Sequence, residues 1–320
     1  MRYRHLQNAD VDVSVIAVGT WAIGGANYGP VNREDSIQAI RAMIDNGVNL
    51  VDTAPVYGNG YSEQLVGEAL QDGYREKVMI STKFGVGGNY LNPAARDASF
   101  KGVMREVASS LKNLKTDHID FYFVHWPDVN TPIAETMSAL NLLKQMGVIR
   151  HIGVSNFSKE QIEEAMKYAQ IDVQQPPFSM VNQRDIDLIR WGYEKGIDSF
   201  TYGSLGAGIL TGRYRSTPDF PPDDLRWHFY DFFNEPKFSK IMELLKVMDQ
   251  VAAKHGNVPI AQVALNWSTQ KDYVGTALVG VVNAQQANEN CAAFGWELTQ
   301  EEMDMLDQEM MRLGLSETNV

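Results

Sequence analysis

The chain has 320 residues, of which 44% are hydrophobic and 21% are charged, and this balance excludes a disordered, low-complexity chain. Its 28 Lys and Arg against 40 Asp and Glu give a net charge of −12, so we expect neither nucleic acid nor a membrane surface as a partner. Its single cysteine, Cys291, allows no intramolecular disulfide, and no signal peptide or membrane-spanning run is found; we therefore expect a cytoplasmic protein.

Short apolar strands alternate with longer amphipathic helices from residue 15 onward. This alternation is typical of parallel strands joined by crossover helices, and eight such strands predict a (β/α)8 TIM barrel. Residues 3–6 and 11–13 predict a hairpin across the barrel floor. The predicted strands are 15–18, 49–52, 78–83, 119–125, 151–154, 171–175, 199–202 and 277–279. The predicted helices are 33–46, 62–70, 100–114, 132–146, 159–169, 183–195, 240–254 and 259–269.

Two segments extend this α/β barrel. Residues 211–236 form a long loop after the seventh strand that is rich in proline and aromatic residues, and loops of this length are usually functional or disordered. Residues 299–313 predict a C-terminal helix. Since no linker or shift in composition divides the chain, we expect residues 1–320 to form a single domain.

Polar residues end three consecutive predicted strands. Asp52, Lys83 and His125 occupy these positions, and Tyr57 lies in the loop after Asp52. Chemistry in such barrels is located where strands end, and neighbouring strands lie ~4.8 Å apart, so we expect the four side chains to converge. Each residue alone also fits a structural role, such as a turn or a packed ring. Lys83 is the exception, because a lysine that ends an apolar strand needs a partner such as Asp52.

The four residues together predict acid and base chemistry. The ammonium of Lys83 would lower the pKa of the Tyr57 phenol from its ordinary value of ~10. That phenol could then protonate a developing alkoxide while His125 hydrogen-bonds the same oxygen. The six histidines show no metal-ligand spacing, so we expect no metal. Carbonyl reduction or alcohol oxidation fits best, and it requires a bound hydride carrier. Since GxGxxG and GxxxxGK are both absent, a nucleotide would lie on the barrel rim.

Several long motifs resemble the aldo-keto reductases in collinear order over essentially the whole chain. They are residues 47–67, the strand VMISTK, and residues 111–128, 149–157 and 202–214. The HWPD and IGVSNF motifs are most similar to the bacterial branch that acts on sugars, polyols and inositols. The resemblance implies an NAD(P)-dependent oxidoreductase acting on a carbonyl or alcohol of a small sugar- or polyol-like substrate. It also implies a catalytic tetrad of Asp52, Tyr57, Lys83 and His125, with Tyr57 as general acid/base.

The resemblance further implies that NADP or NAD lies extended across the barrel mouth. The implied cofactor contacts are Thr20, Trp21, Asp52, Ser155, Asn156, Gln175, Tyr202, Leu205, Gly208, Arg213, Gly280, Gln286 and Asn290, and we add Arg226 of the long loop as a candidate. We expect the substrate to contact Trp21, Tyr57, His125 and Trp126, between loops that also bear Tyr28 and Trp227. Aromatic residues at a barrel mouth fit either stacking on a sugar or plain packing. Asp128 fits either a contact to a polyol hydroxyl or a turn at the strand end.

One departure from the family pattern concerns the cofactor. Members that prefer NADPH commonly place Arg or Lys near the last strand, whereas residues 280–290 contain no basic residue. Arg226 is a candidate substitute, and NAD(H) becomes a serious candidate cofactor. A different class of function also stays open, because some relatives are nucleotide-binding regulatory subunits; the intact tetrad argues against it. The sequence leaves the substrate, the direction and the oligomeric state open.

Overall fold

The computed structural model describes residues 1–25, 31–87, 92–222 and 224–316, so Tyr28 lies outside the described residues. Its strands alternate with helices along the chain as predicted. The strands are β1 (Tyr3–Leu6), β2 (Val11–Ser14), β3 (Ile16–Gly19), β4 (Leu50–Asp52), β5 (Met79–Phe84), β6 (Ile119–Val124), β7 (Ile149–Ser155), β8 (Val173–Gln175), β9 (Asp198–Thr201) and β10 (Thr276–Gly280).

Helices cover the outside of these strands, and none of those described is long and apolar enough to cross a membrane. The helices are α1 (Arg33–Asp45), α2 (Tyr61–Ala69), α3 (Phe100–Leu114), α4 (Ile133–Gln145), α5 (Lys159–Met166), α6 (Ile186–Glu194), α7 (Leu225–Phe229), α8 (Lys237–Lys254), α9 (Ile260–Thr269), α10 (Ala284–Cys291) and α11 (Gln300–Leu313).

The eight strands β3 to β10 form a closed barrel in which every pairing is parallel. Each strand pairs with its neighbours in the chain, and β10 closes the ring by pairing with β3, with Ala277 opposite Ile16. The predicted TIM barrel is therefore confirmed. The hairpin is confirmed as well, since β1 and β2 pair antiparallel with Tyr3 opposite Ser14.

Apolar side chains fill the barrel interior and the hairpin seals its floor. Leu6 of β1 and Val13 of β2 are fully buried in one cluster with interior residues such as Phe121 and Phe200, whose ring centroids lie 4.9 Å apart. Gly153 of β7 is required beside them, because a Cβ there would lie 2.4 Å from the Phe123 ring. The interior is thus a packed core, and the open end of the barrel is at the carboxyl ends of the strands.

Buried aspartates fix the register at the barrel floor. Asp120 accepts a hydrogen bond from the backbone N–H of Ile80 at 2.8 Å, and Asp172 accepts one from that of Ile152 at 2.8 Å. Asp198 accepts one in the same way from the hairpin, at 2.6 Å from the backbone nitrogen of Gln7. These carboxylates satisfy backbone donors that the parallel ladder leaves unpaired at the floor.

One helix lies outside the predicted set, and the long loop is ordered, as its aromatic residues indicate. Helix α10 is absent from the predicted helices because its sequence, AQQANENC, is mostly polar; it buries Ala287 and Cys291 and is capped by Asn283. The long loop 211–236 contains the short helix α7, and an aromatic cluster of Phe220, Trp227 and Phe233 packs around it, with centroid distances of 5.0 to 6.1 Å. The loop is therefore an ordered part of the fold over these residues.

Candidate active site

Three neighbouring strands bring the predicted tetrad to one end of the barrel. Asp52 ends β4, Lys83 lies one residue before the end of β5, and His125 directly follows β6. Tyr57 lies on the loop between β4 and α2. Gly58 lets this loop approach the turn after β3, since its φ is +62° and a Cβ would lie 2.1 Å from the carbonyl oxygen of Gly24.

A buried ion pair forms the base of the site. The Nζ atom of Lys83 lies 2.7 Å from Oδ2 of Asp52 and 2.8 Å from the carbonyl oxygen of Thr53. The other carboxylate oxygen of Asp52 accepts hydrogen bonds from Ser81 at 2.8 Å and from Gln175 at 3.0 Å. Burial lowers the pKa of Lys83 below its ordinary value, and the charge of Asp52 opposes that shift. A buried pair holds its charges only with such additional hydrogen bonds.

The ring of Tyr57 is close to both this cation and His125. The Nζ atom of Lys83 is 5.1 Å from the centroid of the Tyr57 ring, and the His125 ring meets it edge to face at 6.0 Å. Trp21 lies on the same ring at 6.5 Å. A phenol beside a buried ammonium is suited to donating or accepting a proton, because the positive charge favours the phenolate.

His125 is neutral in this environment. Burial lowers its pKa well below the ordinary value, and the charges of Lys83 and Arg96 lower it further. A neutral imidazole offers one N–H donor, which is the group needed to hydrogen-bond a carbonyl oxygen next to Tyr57.

This shift predicts a pH-dependent stability. The unfolded chain binds a proton at His125 near pH 6.5 whereas the folded chain does not, so the unfolding free energy should fall as the pH drops below that value. His125→Asn removes this contribution. Urea unfolding of both proteins between about pH 5 and 8 measures this contribution. The difference in unfolding free energy between the parent and the variant should shrink towards low pH. Parallel curves would contradict a neutral His125.

The residues expected to hold the nicotinamide lie beside the tetrad. Ser155 ends β7 and Gln175 ends β8, and the Ser155 hydroxyl donates to the carbonyl of Gln175 at 2.8 Å. The Asn156 amide donates to the carbonyl of His125 at 2.9 Å and accepts from the Tyr202 hydroxyl at 3.0 Å. Burial raises the pKa of Tyr202, so its ring stays an uncharged aromatic face. These amide, hydroxyl and aromatic groups fit a nicotinamide with its carboxamide.

The residues expected to hold the rest of the dinucleotide follow β9 and β10. Leu205 and Gly208 belong to a turn in which Gly208 has a φ of +91°, and Arg213 follows it as an exposed cation. Gly280 ends β10 opposite Gly19, with open space where a Cβ would be. On α10, the Gln286 side chain accepts from the backbone N–H of Val282 at 3.2 Å, and Asn290 is buried.

Arg226 is engaged within its own loop. Its guanidinium pairs with Asp224 at 2.6 Å, donates to the Tyr214 hydroxyl at 2.9 Å and lies 3.7 Å from the centroid of the Phe220 ring. Burial works to raise the pKa of Asp224, but the bonds and charge of Arg226 outweigh it and the pKa is lowered. The Asp224 carboxylate therefore already balances much of the positive charge of Arg226, the residue considered above as a partner for a cofactor phosphate.

The aromatic residues of the long loop take different positions. Trp227 is half-buried in the loop cluster, where its Nε1 donates to the carbonyl of Phe220 at 3.4 Å. Phe229 of the same loop meets Trp21 edge to face at 5.6 Å. Trp126 and Tyr57 both pack against a small apolar cluster of Ala54, Val56 and Val86.

Two other residues hold backbone in place. The Thr20 hydroxyl is buried and donates to the carbonyl of Asp52 at 2.8 Å, so it ties β3 to β4. Asp128 accepts from the backbone N–H of Ala98 at 3.0 Å and of Asn130 at 2.9 Å. Of the two roles considered for Asp128, the structure therefore shows the turn.

Sequence reasoning missed some residues of the site. Ser81 orients Asp52, and a signal for it existed, because Ser81 and Lys83 alternate on one face of the same strand. Phe229 and Arg96 gave no such signal, since their positions depend on how the loops fold.

Comparison with known proteins gives a consistent picture. A family model described as the aldo/keto reductase family matches residues 15–309. The chain is 35% identical to an aldo-keto reductase of Bacillus subtilis, over 94% of this chain and 91% of that protein. It is 33% identical to the NADH-specific methylglyoxal reductase of Escherichia coli, over 92% of this chain and 94% of that protein.

A solved structure shares the fold at comparable identity. The glycerol dehydrogenase of Gluconobacter oxydans superimposes with a TM-score of 0.85 at 34% identity, covering 99% of this chain and 97% of that one. The family match spans all eight strands of the barrel and all four positions of the predicted tetrad. The chain belongs to the aldo/keto reductase family of NAD(P)-dependent oxidoreductases.

Proposed function

We propose that this enzyme reduces the carbonyl group of a small sugar- or polyol-like molecule, or oxidises the corresponding alcohol, with Tyr57 as the general acid/base. The observation that carries the proposal is the buried Lys83–Asp52 pair beside the Tyr57 ring. The Lys83 nitrogen lies 2.7 Å from the Asp52 carboxylate and 5.1 Å from the centroid of the Tyr57 ring. The nicotinamide dinucleotide, when bound, supplies the hydride and is left oxidised.

The protein's own groups handle the oxygen and its proton. As the carbonyl carbon gains the hydride, negative charge develops on the carbonyl oxygen, and the neutral imidazole of His125 donates a hydrogen bond to it. Tyr57 transfers its phenolic proton to that oxygen, and Lys83 stabilises the phenolate that remains. Solvent returns one proton to Tyr57, so each turnover consumes one hydride and one proton. Alcohol oxidation follows the same steps in reverse.

The walls of the mouth support a sugar-like substrate. Trp21 and Phe229 meet edge to face at the rim, and Trp126 packs against the same apolar cluster as Tyr57. Aromatic faces pack well against the C–H faces of sugars and polyols. The relatives named as glycerol dehydrogenase and methylglyoxal reductase act on small oxygenated molecules of this size.

We propose that NAD(H) is used at an appreciable rate. Residues 280–290 contain no basic side chain, and Arg226 is paired with Asp224 at 2.6 Å. A 2′-phosphate dianion would therefore find little charge to balance it, whereas the hydroxyl of NAD(H) needs none. The E. coli relative named as NADH-specific supports this proposal.

Steady-state assays with both cofactors test the proposed function. Nicotinamide absorbance would be followed with a panel of aldoses, inositols and small aldehydes, using NADH and NADPH and both oxidised forms. We expect turnover, with kcat/KM for NADH within about tenfold of that for NADPH or above it. A preference for NADPH of ~1000-fold, equivalent to ~4 kcal/mol, would contradict the proposed use of NAD(H).

The same panel tests the alternative of a nucleotide-binding regulatory subunit. Cofactor binding without turnover of any substrate would favour that alternative over an enzyme.

Two further expectations stand as proposals. The first is a cytoplasmic location, which the single buried Cys291 supports. The second is a single domain over residues 1–320, which the closed barrel and its covering helices support.

A further inference from the structure

One arginine lies at the mouth beside the residue that follows His125. The Cζ atom of Arg96 is 5.0 Å from the centroid of the Trp126 ring, and its Nη1 donates to the carbonyl of Pro127 at 3.0 Å. Its backbone is held as well, by an antiparallel bridge to Val86. The backbone and the side chain of Arg96 are thus both fixed near the carboxyl end of β6, and the residue is half-buried.

The charge of Arg96 is not balanced by any carboxylate that the structure describes. Two neighbouring carboxylates have other partners: Asp97 follows Arg96 in the chain, and Asp128 follows its partner Pro127. Asp97 pairs with Arg105 at 3.0 Å and accepts from the Ser99 hydroxyl at 2.6 Å. Asp128 accepts from backbone N–H groups and from the Thr131 hydroxyl at 2.7 Å.

This cation acts on the catalytic centre. After burial and Lys83, Arg96 is the third cause that lowers the pKa of His125, so its field reaches the group that would hold the substrate oxygen. The chain as a whole carries a net charge of −12 and repels anions at long range. The guanidinium of Arg96 therefore places a local positive charge at the mouth of a protein whose net charge is negative.

We propose that Arg96 is a specificity-determining residue that selects carbonyl substrates carrying an anionic group, a carboxylate or a phosphate. This inference rests on the proposed function of the tetrad. Only Nη1 of Arg96 is used by a described residue, which leaves donors of the planar fork for two oxygens of one anion. Trp126 supports the guanidinium through a cation–π contact, and we expect its ring to separate one face of Arg96 from the substrate space.

Two pairs of substrates test the proposal and separate the two anions. The carboxylate pair is 4-oxobutanoate and its methyl ester, and the phosphate pair is glyceraldehyde 3-phosphate and glyceraldehyde. For each pair, the ratio of kcat/KM for the anion to kcat/KM for its neutral partner would be measured at low and high salt. The variants are Arg96→Gln, Arg96→Glu and Arg96→Lys. The control is Arg312→Gln, which makes the same change of charge on the exposed face of α11.

We expect the parent to prefer the anion of at least one pair, and the pair that shows the preference identifies the group. Arg96→Gln should lower that ratio by about 10- to 100-fold through a loss of kcat/KM for the anion. Arg96→Glu should lower it further and Arg96→Lys should retain part of it, while Arg312→Gln leaves it unchanged. High salt should reduce the parent's ratio towards that of Arg96→Gln.

The outcomes against the proposal are distinct. Turnover of the neutral partners with the same anion ratio in the parent and Arg96→Gln would overturn the role of Arg96 and leave the tetrad chemistry intact. Equal losses for the anion and its neutral partner would show that Arg96 only supports the loop, which also overturns the selection. Absence of turnover for all four substrates, with cofactor bound, would overturn both the proposed function and this inference.

Discussion

Tyr57→Phe is expected to lower kcat by about 10²- to 10⁴-fold while leaving cofactor binding within about twofold of the parent. The substitution removes only the phenolic oxygen, which is the group that gives the proton to the substrate oxygen. The ring and its contacts to His125 and Trp21, at 6.0 Å and 6.5 Å, remain. Steady-state kinetics gives the loss in kcat, and quenching of protein fluorescence by the reduced cofactor gives its affinity.

Tyr168→Phe is the matched control. This tyrosine lies just after α5, is exposed and donates a hydrogen bond to Glu164. Removing its phenolic oxygen should therefore leave kcat unchanged. Full activity of Tyr57→Phe would show that another group supplies the proton, and the general-acid role of Tyr57 would be wrong.

Lys83→Met is expected to affect both turnover and folding. It leaves the Asp52 carboxylate buried without its cation, and breaking a buried pair in this way costs about 3–5 kcal/mol of unfolding free energy. It also removes the positive charge 5.1 Å from the Tyr57 ring, so kcat should fall at least as far as in Tyr57→Phe. Urea unfolding measures the first effect and steady-state kinetics the second.

A double variant separates the two effects. In Asp52→Asn/Lys83→Met no buried charge remains in the pair, so much of the lost unfolding free energy should return, while kcat should stay low. Lys246→Met breaks an exposed pair with Glu243 on α8 and should change stability by less than about 1 kcal/mol. If the double variant regained activity together with stability, the role of Lys83 would be structural only.

The barrel and the tetrad were accessible from the sequence for a common reason. Short apolar runs rich in Val, Ile and Phe predicted the parallel strands, and the polar residues that end them, Asp52, Lys83 and His125, stood out against buried neighbours. Because adjacent strands end at the same edge, position along the chain translated directly into proximity. The distance of 2.7 Å between the Lys83 nitrogen and the Asp52 carboxylate agrees with this prediction of proximity.

The remaining features depend on contacts between segments distant in the chain. The polar helix α10 is held against α1 by the burial of Ala287 and Cys291, which its own pattern does not reveal. Trp227 and Phe229 are two residues apart, yet the fold of their loop places only Phe229 against Trp21. The pairing of Arg226 with Asp224 likewise required the loop's conformation, since a charge in sequence does not reveal its partner.

The aspartates at the barrel floor have a consequence for how the molecule can change. At the end opposite to Tyr57, neighbouring strands and the hairpin are joined by hydrogen bonds to Asp120, Asp172 and Asp198. The loops at the mouth, including those with Arg96 and Phe229, are not needed for that closure. Exchanging or recombining these loops should therefore alter which molecule is accepted while the barrel itself survives, so the protein is a suitable scaffold for directed evolution of new reductases.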